Sequence, residues 1–354
     1  MTATSVGPEP AVAGRPVLKP PVLRPPVLRL GARTSPLARA QVHAVADLLG
    51  AHGVATTYVG VTTRGDVDQR LLTEIGGTGI FAGAVRDALR RGEIDVAVHS
   101  LKDLPTASDD DLEVVAVPVR EDTRDVLVGR HLDDLDDGLT VGTGAPRRAL
   151  QLQEWATAQR RQVSLVPVRG NVDTRLDLVR RGSVHAVVLA AAGLRRLGYL
   201  TADHPDAATG AAAVTVTDLP GDLLGLDVML PAPGQGALAL EVSRSLDPRL
   251  LDLVRALDDP ASHAEALVER GFLARLEAGC TAPVGARAVV KSVRGKRLDL
   301  TLAAVIGRTL VSNLSEPTSA GPAIRLDVQG FSSDPRDFGS RHAAEVLTRL
   351  RSHE

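Results

Sequence analysis

From Val27 onward, short apolar runs alternate with amphipathic helical patterns, and this alternation narrows the fold more than any other feature of the chain. Strand and helix segments in turn, joined by short loops, make an α/β protein. Leu28 to Ala32 reads as a strand. Ser35-Pro36 then opens a helix with Leu37, Val42, Val45 and Leu49 on one side, and Gly50 and Gly53 close it. Further strands are expected at Thr56 to Val61, Val96 to His99, Glu113 to Val117, Val126 to Val128, Thr140 to Thr143, Ser164 to Val168, Ala186 to Ala190 and Ala237 to Val242. Helices are expected near Phe81 to Arg91, Pro146 to Ala156, Val172 to Arg181 and Ala192 to Leu197. At 354 residues the chain exceeds what one core usually holds, so two or three domains are expected.

After Leu250 the pattern changes. A long amphipathic helix over Ala261 to Leu276, a hairpin over Ala286 to Val305 turning near Arg294-Gly295, and a last helix over Arg341 to Leu350 suggest a separate small α+β domain. At the other end, residues 1–26 are rich in proline and carry an imperfect repeat, Pro16-Val17-Leu18-Lys19-Pro20 followed by Pro21-Val22-Leu23-Arg24-Pro25. Proline at that density prevents helix and interrupts strand ladders, so a disordered tail is expected. No apolar stretch reaches spanning length and no apolar signal segment stands at the start, which makes the cytoplasm the expected location, without a membrane partner. A net charge of -2 argues against a nucleic-acid binder.

Nearly all the positive charge is arginine, since the lysines are Lys19, Lys102, Lys291 and Lys296. A GC-rich genome produces that bias without functional meaning, but three arginine-bearing strand-to-helix junctions ask for more. They are Gly31-Ala32-Arg33-Thr34-Ser35-Pro36, Gly142-Thr143-Gly144-Ala145-Pro146-Arg147-Arg148, and Arg169-Gly170-Asn171-Val172-Asp173-Thr174-Arg175, with Arg195-Arg196 as a fourth pair. Each sets backbone N–H groups and a guanidinium at a helix start, an anion-binding arrangement. In open α/β sheets such junctions gather where ligands bind, so a ligand with several negative charges is expected. Taken singly, any of these arginines reads more readily as a solvated surface residue; it is their number that points to a ligand.

Val98-His99-Ser100-Leu101-Lys102-Asp103-Leu104-Pro105 follows a strand, so Lys102 and Asp103 project at the rim of the same cleft. A carboxylate there can stabilise a developing cation or pass a proton; a plain surface Lys-Asp pair is the alternative. His99 reads as a structural histidine. Cys280, the sole cysteine, sits in a loop punctuated by Gly279, Pro283 and Gly285. Alone, it makes no intrachain disulfide and no cysteine metal cluster. It is therefore either a small buried hydrophobe or a nucleophile or tether.

Five motifs in order, Arg33-Thr34-Ser35-Pro36-Leu37-Ala38, the 98–105 stretch, Arg169-Gly170-Asn171 with Thr174-Arg175, Pro233-Gly234-Gln235-Gly236-Ala237 and Leu276-Glu277-Ala278-Gly279-Cys280, resemble the hydroxymethylbilane synthase, or porphobilinogen deaminase, family. The resemblance runs from Leu28 to the C-terminal helix. It implies a transferase of tetrapyrrole biosynthesis that joins four porphobilinogen molecules head to tail, releases ammonia each time, and hydrolyses the product to hydroxymethylbilane. It also implies a dipyrromethane cofactor held by a thioether to Cys280, a bond that cytosolic reductants leave intact. Asp103 would then be the catalytic residue, facing pyrrole nitrogens and steadying the cationic azafulvene left when ammonia departs. Arg33, Ser35, Lys102, Thr143, Arg147, Arg148, Arg169, Arg175 and Arg196 would bind cofactor or substrate, with Gln41 on the following helix and no metal.

The implied architecture is two α/β domains of the type II periplasmic-binding-protein kind, between which the chain crosses twice, plus a small α+β domain carrying the cysteine. On this sequence that gives residues 27–118 with 235–254, residues 124–230, and residues 260–354, with Glu121 to Asp125 at the hinge and a monomer as the expected state. Two departures from the family pattern stand out. Gly144-Ala145 replaces a serine pair, and Thr78 replaces a lysine in a Gly-rich loop. A two-lobed small-anion sensor and a paralogue without turnover are the competing readings.

Overall fold

Burial alternates along β1 (Leu28–Arg33), where Leu28, Leu30 and Ala32 lie in the core and Arg29 and Arg33 are partly exposed. The computed structural model of the chain describes residues 27–62, 82–200, 212–278, 282–307 and 323–351; the Pro-rich stretch, Thr78 and Cys280 lie outside these described residues. After β1 come α1 (Pro36–Ala51), β2 (Thr56–Val61), α2 (Gly83–Arg90), β3 (Val96–Ser100) and β4 (Leu112–Ala116). The chain then passes to β5 (Asp125–Val128), β6 (Thr140–Gly142), α3 (Pro146–Ala158), β7 (Ser164–Val166), α4 (Val172–Arg180), β8 (Ala186–Ala190), α5 (Ala191–Arg196), β9 (Ala212–Val216) and β10 (Leu219–Leu223). It returns through β11 (Leu238–Ser243), and α6 (Pro248–Arg255), α7 (Pro260–Arg275), β12 (Val284–Arg294), β13 (Arg297–Ile306), β14 (Ile324–Ser332) and α8 (Pro335–Arg351) complete it.

Two sheets share one design. In the first, ordered β2-β1-β3-β11-β4, the parallel strands β2, β1 and β3 are followed by antiparallel β11. In the second, ordered β7-β6-β8-β5-β10-β9, parallel β7, β6 and β8 are followed by antiparallel β5. Each antiparallel strand adjoins a crossing between the units: β5 follows the outward passage, and β11 follows the return. The two α/β units are therefore joined by two chain segments, 117–124 and 224–237, as expected of the periplasmic-binding-protein-like architecture. The third unit is the antiparallel sheet β12-β13-β14, whose core of Val268, Phe272, Leu300, Leu302 and Phe338 includes side chains from α7 and α8.

The expected strands are present with ends shifted by one or two residues. Among the described residues, the strands β9, β10 and β14 and the α-helix α6 were not anticipated. In β10 the Pro220-Gly221 pair reads as a turn, yet β5 and β9 pair with the strand on its two sides. α8 starts six residues before the expected Arg341, because Asp334 caps it: its side chain accepts from Asp337 N at 2.9 Å, and Pro335 supplies the first helical position.

Candidate active site

Where the two α/β units and the third unit face one another lies a cleft of about 870 Å³. β1 delivers Arg33 to its wall. Ser35 caps α1 by accepting from Ala38 N at 3.3 Å, with Pro36 at the first helical position, and places buried Gln41 one turn further along the same wall. β3 runs into a single 3-10 turn, Leu101–Asp103, tied to the return segment by Leu101 N donating to Ala237 O at 3.0 Å. Leu101 turns inward, so Lys102 and Asp103, both half-buried, line the cleft. The return segment packs tightly here: Gly234 and Gly236 have φ of 76° and 87°, and a side chain at Gly236 would collide with Glu121 O.

The second unit supplies the opposite wall. Arg147 and Arg148, at the start of α3, are 4% and 5% exposed and converge on the fully buried Asp125, each donating to it at 2.8 Å. Arg147 also donates to Leu230 O and Arg148 to Val188 O. Gln235 adds a third donor to Asp125 at 2.8 Å, and its carbonyl accepts from Lys102 Nζ at 3.3 Å. Burial alone would push the Asp125 carboxyl up, but Arg147 and Arg148 outweigh it and hold the group well below the usual range. A chain of contacts thus joins Lys102 on the first unit to the arginine pair on the second, through Gln235 of the return crossing and Asp125 at the start of β5.

Asn171 caps α4 by accepting from Thr174 N at 2.8 Å, setting Arg169 and Arg175 on the wall. Three buried nitrogens, Arg148 Nε, Arg169 Nη1 and Arg175 Nε, meet no hydrogen-bond partner among the described residues. An unsatisfied buried donor costs about 1–3 kcal/mol, more for a charged group. All three arginines line the cleft, where a bound carboxylate would supply such acceptors. Burial lowers Arg175 to about 10, Arg148 and Arg169 adding to the shift and Asp103 opposing it. Burial likewise lowers Arg196 to about 10, opposed by Glu121, and lowers the Lys102 ammonium to about 8, opposed by Asp103. Arg33, Lys102, Arg147, Arg148, Arg169, Arg175 and Arg196 thus face only Asp103 and Asp173 among the described carboxylates lining the cleft. Among the described residues, no side chain hydrogen-bonds to Asp103, so its carboxylate stands open in the cleft.

The cleft gathers Arg33, Ser35, Lys102, Asp103, Arg147, Arg148, Arg169, Arg175 and Arg196. Thr143 does not line it: buried, it accepts from Ala145 N at 3.2 Å and so braces the turn into α3. Arg195 turns away to Glu121 and Asp122 of the crossing segment, while Arg196 donates to Gly236 O at 2.7 Å. Asp125 and Gln235 went unanticipated as parts of the site. The first was legible as an acid beside the hinge and the second as the polar centre of Pro233-Gly234-Gln235-Gly236. The donor set fits a bound group bearing several carboxylates, such as a dipyrromethane with acidic side chains.

Residues 28–251 match the family model described as porphobilinogen deaminase, dipyromethane cofactor binding domain, and residues 263–322 match the porphobilinogen deaminase C-terminal domain. Porphobilinogen deaminase 1 of Streptomyces coelicolor is 47% identical over 323 residues, covering 90% of this chain and 94% of that one. The porphobilinogen deaminase of Leifsonia xyli subsp. xyli is 46% identical over 332 residues, covering 90% and 91%. That of Thermobifida fusca is 45% identical over 281 residues, covering 78% and 81%. By these matches over most of its length, the chain belongs to the porphobilinogen deaminase family.

Proposed function

We infer that this chain is a hydroxymethylbilane synthase, a transferase that condenses four porphobilinogen molecules head to tail with loss of ammonia and hydrolyses the product to hydroxymethylbilane. The observation that carries the reading is the set of buried guanidinium nitrogens without protein acceptors, on a cleft that also holds the open carboxylate of Asp103. When bound, a dipyrromethane supplies the primer on which the pyrroles are assembled. Cys280 would hold it by thioether, and Arg33, Ser35, Arg148, Arg169 and Arg175 would hold its acidic side chains.

The remaining chemistry belongs to the chain's own residues. Each porphobilinogen carries an acetate and a propionate, and the guanidiniums orient it by pairing with them. Asp103 accepts from the substrate's pyrrole N–H and keeps its negative charge where the aminomethyl group leaves as ammonia and positive charge develops. Lys102, its ammonium lowered by burial to about 8, adds a cation to the same wall. Asp125 fixes Arg147 and Arg148, so neither can collapse onto Asp103 and neutralise it.

The division into residues 27–118 with 235–254, residues 124–230 and residues 260–354 follows the same reading, with the crossing segments as hinge. The enzyme works as a monomer in the cytoplasm, without nucleic-acid or membrane partners; no helix among the described residues is long and apolar enough to cross a membrane.

Intact-protein mass spectrometry of the chain from a cofactor-competent host, followed by turnover of porphobilinogen, tests the assignment. One covalent dipyrromethane at Cys280 together with ammonia release is the expected result. An unmodified chain would instead favour a small-anion sensor, and a modified chain without turnover a paralogue that has lost activity.

A further inference from the structure

The turn that carries Asp103 separates two cavities. Lys102 and Asp103 line the cleft, whereas Leu101 and Leu104 line a second cavity of about 190 Å³ between the first unit and α7. Support behind the turn is thin, because the buried cluster around these two leucines is built largely from Ala82, Ala237, Ala239 and Ala266. Across this space Arg270 reaches from α7, donating Nη1 to Leu104 O at 2.9 Å and Nη2 to Pro105 O at 2.5 Å. Those carbonyls belong to the two residues directly after Asp103.

The base of that reach is firmly held. Glu269, the neighbouring residue on α7, is fully buried and accepts from Arg120, from Gly234 N at 2.7 Å and from Ala288 N at 2.9 Å. It thereby fastens this turn of the helix to the outward crossing, the return crossing and β12. α7 ends at Arg275, five positions before Cys280 in the sequence. One helix therefore grips the backbone beside the open carboxylate and also precedes Cys280 closely in the sequence.

We propose that Arg270 is a positioning residue for Asp103: its guanidinium fork, anchored on the third unit, holds the Leu104 and Pro105 carbonyls and so sets where the Asp103 carboxylate stands in the cleft. This rests on the reading of Asp103 as the catalytic carboxylate. A planar fork holds two successive carbonyls in fixed relation, which a point cation cannot do. Arg270 is absent from the cleft lining, so its loss leaves the carboxylate-binding arginines of the second unit in place. Misplacement of a catalytic group by about 1 Å can cost on the order of a hundredfold in rate. The effect belongs in kcat rather than in KM.

The test compares wild type, Arg270→Met and Arg270→Lys as full-length chains from a cofactor-competent host. Intact mass, thermal unfolding, amide hydrogen exchange and steady-state kinetics with porphobilinogen are read on each. For Arg270→Met the expected result is retention of the covalent group, exchange at the 101–104 amides about tenfold faster with α7 unchanged, and kcat about ten- to a hundredfold lower with KM within about threefold. Arg270→Lys, able to reach one carbonyl, should recover part of both losses. The proposal is overturned by a kcat for Arg270→Met within twofold of wild type, by a kcat loss without faster exchange in the turn, or by a loss expressed in KM. If Arg270→Met does not fold, Arg270→Lys decides alone, and wild-type kcat and exchange in that variant overturn it. A wild-type chain with no turnover sinks the hydroxymethylbilane synthase reading itself, a result distinct from all of these.

Discussion

Both carboxylate oxygens of Glu269 accept from the guanidinium of Arg120, at 2.8 and 2.7 Å, in a pair where Glu269 has no exposure at all. Arg120 lies on the outward crossing and Glu269 on α7, so this pair fastens the small C-terminal unit to the segment joining the other two. Removing one partner of a buried ion pair costs about 3–5 kcal/mol, because the other charge is left in a medium that does not solvate it.

Glu269→Ala should therefore lower the thermal unfolding temperature by several degrees or prevent folding. Replacing both residues by methionine should recover only part of the loss, since Gly234 N and Ala288 N would still lack their acceptor. Thermal unfolding of Glu269→Ala and of the Arg120→Met, Glu269→Met double variant measures this. Full recovery in the double variant would show that the backbone bonds to Glu269 contribute nothing.

Asp103→Asn should keep the fold, with stability lowered by about 1 kcal/mol, because no described side chain hydrogen-bonds to that carboxylate but its charge offsets the buried cations Lys102 and Arg175. Turnover of porphobilinogen should fall by about a hundredfold or more, because the amide cannot supply negative charge to the developing cation. Chemical denaturation and steady-state ammonia release test the two halves separately. Near-native turnover would remove Asp103 from the chemistry.

Lys102 predicts a pH effect with a definite sign. Burial lowers its ammonium from 10.5 to about 8, so between pH 8 and 10.5 the folded chain binds fewer protons at this site than the unfolded chain. The cost of carrying the buried charge is fully present below pH 8 and fades as pH rises through that window. Stability relative to Lys102→Met should accordingly improve between pH 8 and 10.5. In kinetics, kcat/KM for porphobilinogen should decline above about pH 8 as the cation is lost, and Lys102→Arg should flatten that limb. An unchanged limb in Lys102→Arg would assign it to another group.

At Gly144 the family resemblance leads one to expect serine, and here the structure opposes the change. A Cβ at Gly144 would stand 2.6 Å from Val168 O, a backbone atom that cannot swing aside. Gly144→Ser should lower stability by about 1–3 kcal/mol, the usual toll of overpacking, and weaken cofactor retention rather than restore a lost donor. Thermal unfolding and the fraction of chain carrying the covalent group provide the measurement. Equal or higher stability would mean that the 168 backbone shifts freely.

Much of the site could be read from the residues because its parts are local. A capping serine or asparagine beside an arginine at a strand-to-helix junction is a short-range pattern, and Ser35 and Asn171 do cap their helices where that pattern put them. Arg195 and Arg196 mark the limit. Adjacent in the chain, they point about 100° apart around α5, so one pairs with Glu121 and Asp122 while the other lines the cleft. Nothing within several residues of either distinguishes them.

The amino-acid order alone determined the α/β alternation, the helix starts at Pro36, Pro146 and Val172, the lone cysteine and the motifs that mark the family, since each is written in periodicity or short-range chemistry. Only the tertiary structure decided that Asp125 gathers Arg147, Arg148 and Gln235, that three guanidinium nitrogens are left without acceptors, and that Arg270 grips the turn bearing Asp103. Those relationships join residues as far as 166 positions apart. They arise from packing and desolvation between units, for which the chain carries no local signature.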